Sequence, residues 1–457
     1  MSAGRNAAVV FCAAALVAVV VPLAVLQIPD AIAWSLPARF AAAGPNVLGS
    51  LLRTAGLALP AMAVAAPFGA LATRWFRAGP VLLAGLLAIG AADALGGTAR
   101  TVLLIGVDRS LHGLGAGISM AAVAAIVAER GRTARSLAGW WACATVCALA
   151  VAPAVMRHLV TVGGWPAALR PGPWLTGAAL ALAALYALLT ERIARTAVRS
   201  AFPGLERALL ALLVPPVAGI AAIAFAVTYQ GSHAVIAAAI ADAIALAGLT
   251  VMTVRASTAG RLAAVCAVTG FTVMPTAGAV TALAPPAGLG PEIGCAVAVA
   301  ALCGAALALA RRGADAGSVR AGTTFTRMAT AAGLGVAAAA FGAVSVAGPA
   351  VTDARVLALL CVPLIGGLAA ALTAALRGTG PGGALCGVVL LLAGVVGGYL
   401  AAGAVQMQAL SGARTSAAVH AALLTATTRW ALIAAAVTAA VALALAFAPV
   451  RRQPRGS

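Results

Sequence analysis

Uninterrupted apolar runs of about 20 residues recur from one end of this chain to the other, and they constrain its fold more than any other feature. A run of that length spans the hydrocarbon core of a bilayer as an α-helix. No segment between the runs is long enough for a soluble domain. The chain has 457 residues, of which 63% are hydrophobic and 9% are charged, whereas soluble domains carry about a quarter charged residues. The sequence therefore predicts an all-α polytopic membrane protein.

Charged breaks and breaks rich in Gly and Pro divide the chain into fourteen candidate transmembrane helices. The longest breaks are 191–206 and 311–324 on one side of the membrane and the polar segment 406–427 on the other. The predicted spans are 7–27, 51–72, 79–95, 101–126, 137–157, 173–190, 207–229, 233–253, 261–284, 289–310, 325–348, 355–376, 382–405 and 428–449.

The distribution of arginine predicts the orientation of these spans. If the N-terminus is cytoplasmic, twenty arginines lie in cytoplasmic breaks and eight lie in outer breaks, as the positive-inside rule requires. We therefore expect an inner (plasma) membrane protein with both termini in the cytoplasm. The first run also resembles a signal peptide that ends at Ala33, but it is longer than the hydrophobic region of such peptides. An uncleaved first span is the favoured interpretation.

The composition does not favour nucleic-acid binding or a metal site. The net charge of +19 would suit nucleic acid, but the chain has no lysine and its arginines lie in short breaks between spans, so we expect no nucleic-acid partner. The eight cysteines lie in or beside apolar runs without clustered His or acidic residues. Cysteine in such places acts as a small hydrophobic residue. We predict no metal site and no cofactor.

The fourth span contains three ionisable residues, Asp108, Arg109 and His112, in the stretch LLIGVDRSLHGLGAG. Arg109 lies about 8 residues into the span, roughly 12 Å at the helical rise, and a charge at that depth is a functional candidate. It shares a helix face with Gly113 and Gly117, which favours an orientation toward protein. Asp108 and His112 are spaced i, i+4 and could share a proton. The alternative is that Asp108 neutralises Arg109 locally and His112 only packs.

Acidic residues elsewhere in the spans are few. Asp30 ends the first span and is either a transport residue or an exposed loop residue. Asp242 lies in the middle of the eighth span, where it has a transport role or pairs with a nearby helix. We expect Asp93 and Glu292 to lie at the membrane interface near outer span ends.

Four stretches resemble the major facilitator superfamily. DRSLHGLGAG is similar to the fourth-helix motif RxxQGxGaA, with Arg109, Gly113 and Gly115 in register. GALATRWFRAGPVLL resembles the loop motif GxLaDRxGRkxxL, matched by Gly69, Leu71, Arg74 and Arg77. ERGRTARSLAGWW and GGWPAALRPGPW resemble the segments before helices five and six. Fourteen spans rather than twelve resemble the drug:proton antiporter branch, which inserts two helices between two six-helix bundles.

The sequence also departs from the superfamily pattern. Thr73 replaces the aspartate of the loop motif, and only Pro153 remains of the fifth-helix motif GxxxGPxxGG, with Met156 and Arg157 where glycines belong. These departures bring into question the standard gating cycle and the antiport direction.

The resemblance implies a major-facilitator fold with bundles at 1–200 and 259–457 and inserted helices at 201–258. It implies a secondary transporter, not an enzyme, that uses protons to export small hydrophobic or amphiphilic compounds. The predicted coupling residues are Arg109, Asp108, His112, Asp30 and Asp242; the predicted packing and gating residues are Gly69, Leu71, Arg74, Arg77, Gly113, Gly115, Gly117 and Pro153. We expect a monomer in the lipid bilayer. Alternatives are a degenerate homologue that acts as a membrane sensor or partner subunit, and a membrane enzyme for lipid-linked substrates.

Overall fold

Fourteen α-helices make up almost all of the part of the chain that the structure describes. The computed structural model describes residues 3–29, 35, 49–51, 54, 56–130, 135–191, 204–227, 232–256, 260–283, 291–310, 319–377 and 379–447. The helices are α1 (Ala3–Leu26), α2 (Ala58–Trp75), α3 (Ala78–Gly96), α4 (Val102–Arg130), α5 (Arg135–Leu169), α6 (Pro173–Glu191), α7 (Gly204–Val227), α8 (Ser232–Ala256), α9 (Gly260–Leu283), α10 (Pro291–Ala310), α11 (Val319–Ala347), α12 (Ala354–Leu376), α13 (Pro381–Leu410) and α14 (Ser416–Phe447).

Each helix corresponds to one of the fourteen predicted spans, and the all-α fold class is confirmed. Within the described residues, eleven helices are long and apolar enough to cross a bilayer. Since lipid offers no hydrogen bonds to the backbone, a chain of this kind satisfies its backbone groups within each helix. The protein is a multi-pass membrane protein.

The prediction of a long polar segment at 406–427 was wrong. Helix α13 continues to Leu410 and α14 begins at Ser416, which leaves five residues between them. The segment 416–427 is rich in alanine, which has the highest helix propensity, and its exposed helical turns extend α14 beyond the apolar run.

Helix α5 also extends beyond its predicted span, and it bends near its carboxyl end. Gly164 has φ 63° and ψ −150°, a conformation that residues with a Cβ rarely adopt. Pro166 follows within the same stretch. The residues after the bend form a short helical segment that ends at Leu169, and three residues, 170–172, connect it to α6.

Helix α4 approaches its neighbours closely enough to define the register of the first half. A Cβ on Gly113 would lie 2.1 Å from the Ala58 carbonyl oxygen of α2, and one on Gly117 would lie 2.4 Å from the Met62 carbonyl oxygen. Both pairs run in the same chain direction, so α2 and α4 are parallel. Small residues allow such backbone contacts in membranes. The predicted glycine face of α4 therefore packs on α2.

The packing of the first six helices recurs in the last six, with a shift of eight helices. The pairs α1–α5, α1–α6, α2–α4, α3–α4 and α3–α6 correspond to α9–α13, α9–α14, α10–α12, α11–α12 and α11–α14. Contacts between the halves recur too, since α5 packs on α10 and α12 as α13 packs on α2 and α4. Helices α7 and α8 pack on each other and on α13. The division at residues 200 and 258 stays a prediction.

We expect the variant Gly113→Val to lower the apparent melting temperature of the protein in detergent, because a side chain there collides with the α2 backbone. Overpacking costs about 1–3 kcal/mol. The matched control is Gly177→Val, since nothing lies within 4 Å of a Cβ at Gly177. Thermal denaturation followed by size-exclusion chromatography measures both. Equal losses in the two variants would contradict the close packing of α2 and α4.

Reporter fusions test the membrane topology, that is, on which side of the membrane each connection lies. Seven helices, α7 to α13, separate residue 197 from Gly412, so an odd number of crossings places these positions on opposite sides. Alkaline phosphatase is active only outside the cytoplasm, and green fluorescent protein folds efficiently only inside it. We expect opposite reporters to be active at the two positions. Activity of the same reporter at both would contradict the fourteen-span arrangement.

Candidate functional site

Arg109 extends from α4 to the end of α1, where it is 1% exposed. Its Nη2 atom donates to the carbonyl oxygens of Gln27 at 3.0 Å and Pro29 at 3.4 Å. The last carbonyls of a helix have no partner within the helix and carry partial negative charge, and basic side chains commonly bind them. A buried guanidinium is therefore held by the carboxyl end of α1, and it joins α1 to α4.

Asp108 and His112 lie on the neighbouring face of α4, which is directed at α3. His112 Nε2 is 3.2 Å from Asp93 Oδ1, and His112 Nδ1 is 3.5 Å from Asp108 Oδ2. Asp108 and His112 are fully buried, and Asp93 is 8% exposed. We call Asp93, His112 and Asp108 the acid–histidine cluster. The imidazole lies between two carboxylates, in a part of the protein where a charge costs several kcal/mol unless it is compensated.

The surroundings of the cluster provide a hydrogen bond for one carboxylate and space for the other. The Thr176 hydroxyl of α6 donates to Asp93 Oδ2 at 2.6 Å, so α3, α4 and α6 meet at the cluster. A Cβ on Gly96 would lie 2.9 Å from Asp108 Oδ1, so the glycine leaves room for that carboxylate beside α3. Both oxygens of Asp108 are buried and lack a hydrogen-bond partner among the described residues.

Asp93 and Thr176 are the residues of this site that the sequence did not reveal. Asp93 was expected at the membrane interface near an outer span end, and it lies one turn from the end of α3, where it is buried against α4 and α6. The i, i+4 spacing of Asp108 and His112 was visible in the sequence. The partner of His112 on α3 depends on how α3 and α4 lie against each other. The signal that the sequence offered for it was an acidic residue near the end of one span, followed by a short connection and a second span that contains a histidine.

The two other predicted acidic residues do not join the cluster. Asp30 lies outside the described residues. Asp242 is 1% exposed on α8, on the same helix face as the buried residues Leu246 and Leu249. Its two carboxylate oxygens have no hydrogen-bond partner within the described parts of the chain. The expected pairing of Asp242 with a nearby helix is thus not seen there, and its transport role stays a prediction.

The loop-motif residues lie at the end of the bundle where α2 turns into α3. A Cβ on Gly69 would lie 2.9 Å from the Ile118 Cα of α4, Leu71 is half-buried, and Arg77 precedes the first residue of α3. Thr73 donates to the Ala70 carbonyl oxygen of its own helix. Arg74 lies within electrostatic range of Glu129. The motif therefore supports the contact of α2 with α4.

Helix α5 carries several of the contacts between the two halves of the chain. The thiols of Cys143 and Cys147 donate to the carbonyl oxygens of Ala301 at 3.2 Å and Val297 at 3.8 Å on α10. Farther along α5, the Arg157 guanidinium donates to the Thr281 carbonyl oxygen of α9.

Pro153 is buried between these two contact regions of α5. Arg157, which takes the place of a motif glycine, thus links the halves rather than allowing close backbone contact. The segment of α5 that departs from the fifth-helix motif therefore has a structural role, which is to connect α5 to α9.

Three clefts lie away from the cluster and are almost wholly apolar. A cleft of about 640 Å³ lies between α11 and α14, one of about 440 Å³ lies among α10, α11 and α12, and one of about 350 Å³ lies among α8, α9 and α14. Volumes of 300–1,000 Å³ are typical of sites for small organic molecules. Thr250 and Phe271 line the third cleft.

Solved structures with the same arrangement of helices belong to transporters. The structure of the proton:xylose symporter XylE is 12% identical in sequence, with a TM-score of 0.57 over 98% of this chain and 97% of that chain. A bacterial homologue of the human drug peptide transporters PepT1 and PepT2 is 13% identical, with a TM-score of 0.56 over 97% and 98%. The peptide transporter POT is 14% identical, with a TM-score of 0.53 over 95% and 94%.

These likenesses show that the chain has the major-facilitator fold, as its motifs predicted. At the level of sequence, no family model matches the chain and no curated protein matches it. The drug:proton antiporter branch, which the count of spans suggested, therefore stays a prediction.

We expect Arg157→Met to loosen the contact between α5 and α9 because it removes the donor to the Thr281 carbonyl. Hydrogen exchange measured by mass spectrometry should rise several-fold in peptides that contain residues 278–283. Peptides that contain Cys143 and Ala301 should keep their exchange rates. Arg355→Met is the matched control, since Arg355 is exposed at the start of α12. An unchanged rate at residues 278–283 would refute this role of Arg157.

Proposed function

We propose that this protein is a secondary active transporter that uses a proton gradient to export small hydrophobic or amphiphilic compounds. The observation that carries the proposal is the buried charge in the first half, where Arg109 holds the end of α1 and the acid–histidine cluster lies on the next face of α4. Ionisable groups within membrane helices are costly and mark ion or substrate pathways. A sensor that uses the fold only as an anchor would not need three ionisable groups in contact beside a buried arginine.

The packing pattern supports movement of two halves about a central site. Residues 1–200 and 259–457 would form the two bundles, with 201–258 as inserted helices, and the recurrence of helix pairs after a shift of eight is the arrangement expected of a duplicated bundle. The contacts of α5 with α9 and α10 involve single side chains and backbone carbonyls, which can break and re-form. We propose that the halves rock against each other at these contacts.

Features of the chain and of its structural neighbours support protons as the coupling ion and small organic compounds as the substrates. One neighbour is a proton:xylose symporter and another is a homologue of drug peptide transporters, so the fold supports proton coupling and organic substrates. The clefts beside α9 and α10 are apolar and of the size of a small organic molecule. They favour a hydrophobic or amphiphilic compound over a sugar.

We further propose that the protein works as a monomer in the inner membrane, with both termini in the cytoplasm. The bias of arginine toward one set of breaks supports this orientation. The orientation places the beginnings of α4 and α6 on the outer side, so the acid–histidine cluster would lie in the outer half of the first bundle.

The proposal predicts that purified protein in liposomes moves fluorescent compounds in response to an imposed pH gradient. The probes are ethidium, Hoechst 33342, rhodamine 6G and the anion carboxyfluorescein. We expect Arg109→Gln to reduce the initial rate at least tenfold, because the glutamine loses the charge that holds the α1 carbonyls. Arg355→Gln, which changes an exposed arginine, should keep the wild-type rate.

Two results would count against the transporter. If folded wild-type protein moves none of the four probes under either sign of gradient, the export function is wrong and the sensor or partner-subunit alternative is favoured. If Arg109→Gln moves a probe at the wild-type rate, the charge on α4 is not part of the transport pathway.

A further inference from the structure

We propose that Asp93, His112 and Asp108 form a single proton-binding site, which exchanges one proton during each transport cycle. The inference rests on the proposed function and identifies the place at which the coupling proton is bound. It assigns a binding role to Asp93, which the sequence did not reveal, and it makes Arg109 a fixed charge rather than the proton carrier.

The geometry of the imidazole carries the first part of the argument. A neutral imidazole has one N–H group and one lone pair, whereas His112 presents both ring nitrogens to carboxylate oxygens, at 3.2 Å to Asp93 and 3.5 Å to Asp108. In the neutral state with both carboxylates ionised, one nitrogen lone pair faces a negatively charged oxygen. One added proton on the imidazole removes this repulsion, because both ring nitrogens then donate toward carboxylate oxygens.

The balance of charge carries the second part. With neutral His112, the charges of Asp93, Asp108 and Arg109 leave this group of described residues one unit negative; with the added proton it is neutral. Asp108 is fully buried, its oxygens have no hydrogen-bond partner among the described residues, and His112 lies 3.5 Å from its carboxylate, so a proton on His112 supplies the remaining compensation. A buried charge without compensation is strongly destabilising.

No other charged side chain is seen to compensate the carboxylates of the cluster in the described parts of the chain. Helix α2 has its one arginine at the opposite end, and α13 has no ionisable side chain apart from Cys386 and Tyr399. On α5, Arg157 binds the Thr281 carbonyl and His158 is exposed. Arg100 and Arg170, in the connections at this end of the bundle, are also exposed. From α6 the cluster receives only the Thr176 hydroxyl.

The arrangement also provides a route for the proton and a consequence of its arrival. Asp93 is the most exposed of the three residues, and it lies one turn from the end of α3. A hydronium ion protonates the Asp93 carboxylate, which passes the proton to the lone pair of His112 Nε2. At each transfer the O–H bond of the donor breaks as the new bond forms, and Asp93 is ionised again at the end. Departure of the proton restores the lone pair. Each event changes the attraction between α3 and α4, and hence their contact with α6.

The test separates proton coupling from folding by measuring two kinds of transport in liposomes. We expect Asp93→Asn and His112→Gln to reduce pH-gradient-driven movement of the transported probe at least tenfold. Exchange of the same probe down its own gradient should fall less than threefold, and the accompanying proton flux, followed with pyranine, should vanish. The matched controls are Asp353→Asn and His420→Gln, which alter an exposed acid and an exposed histidine. Retention of gradient-driven movement and proton flux by both cluster variants would overturn the proposal.

A second measurement tests the site without any transport activity. The triple variant His158→Gln, His233→Gln, His420→Gln removes the exposed histidines and leaves His112 as the sole histidine. In lipid nanodiscs, ¹⁵N-histidine NMR should show His112 exchanging a proton between pH 5 and 9. The additional change Asp93→Asn should move that titration, and Asp353→Asn should not.

A His112 that keeps one protonation state from pH 5 to 9 would overturn the site. If a cluster variant loses probe exchange as well as gradient-driven movement, this titration decides the question. If wild-type protein moves no probe but His112 titrates as expected, the export function fails while the proton site stands.

Discussion

The structure of the first half depends on how closely α4 approaches its neighbours. In a bilayer, helices gain little from hydrophobic burial against each other, so contact depends on close packing and polar links. Glycines bring α4 within backbone contact of α2, and the same approach holds its next face against α3. Arg109 is then directed at the end of α1 and His112 at Asp93. A side chain at Gly113 would separate α4 from α2, and the positions of both polar groups rest on that contact.

The two halves repeat the same packing but differ in the residues at corresponding positions, and one of these differences concerns Asp93. Gly85 on α3 and Gly333 on α11 occupy equivalent places, since each contacts the helix that follows. Eight residues beyond them lie Asp93 and Phe341, and Phe341 is fully buried. The second half thus packs an aromatic ring where the first half binds a histidine. The acid–histidine cluster is therefore a feature of the first half that the repeated packing does not itself require.

The sequence predicted the helices well because transmembrane length and apolar character are local properties. The face shared by Arg109 and Gly113 followed from helical periodicity, which is local as well. The pairing of Asp93 with His112 depends instead on the register between two helices, which the connection 97–101 does not specify. The beginning of α14 was missed because alanine-rich turns are helical without being strongly apolar. The contact of Arg109 with the carbonyl oxygens after α1 depends in the same way on the register between two helices.

The separation of Arg109 from the acid–histidine cluster has a consequence for the coupling of the proton to movement. An arginine keeps its charge at any physiological pH, so it can hold the end of α1 in every state of the cluster. Adjacent residues on a helix do not face each other, and Asp108 therefore contacts the imidazole instead of cancelling Arg109 directly. The proton thus changes the contact of α3 with α4 while the contact of α1 with α4 persists. One helix with two polar faces can then transmit a change in charge as a movement of α3 and α6 relative to α1.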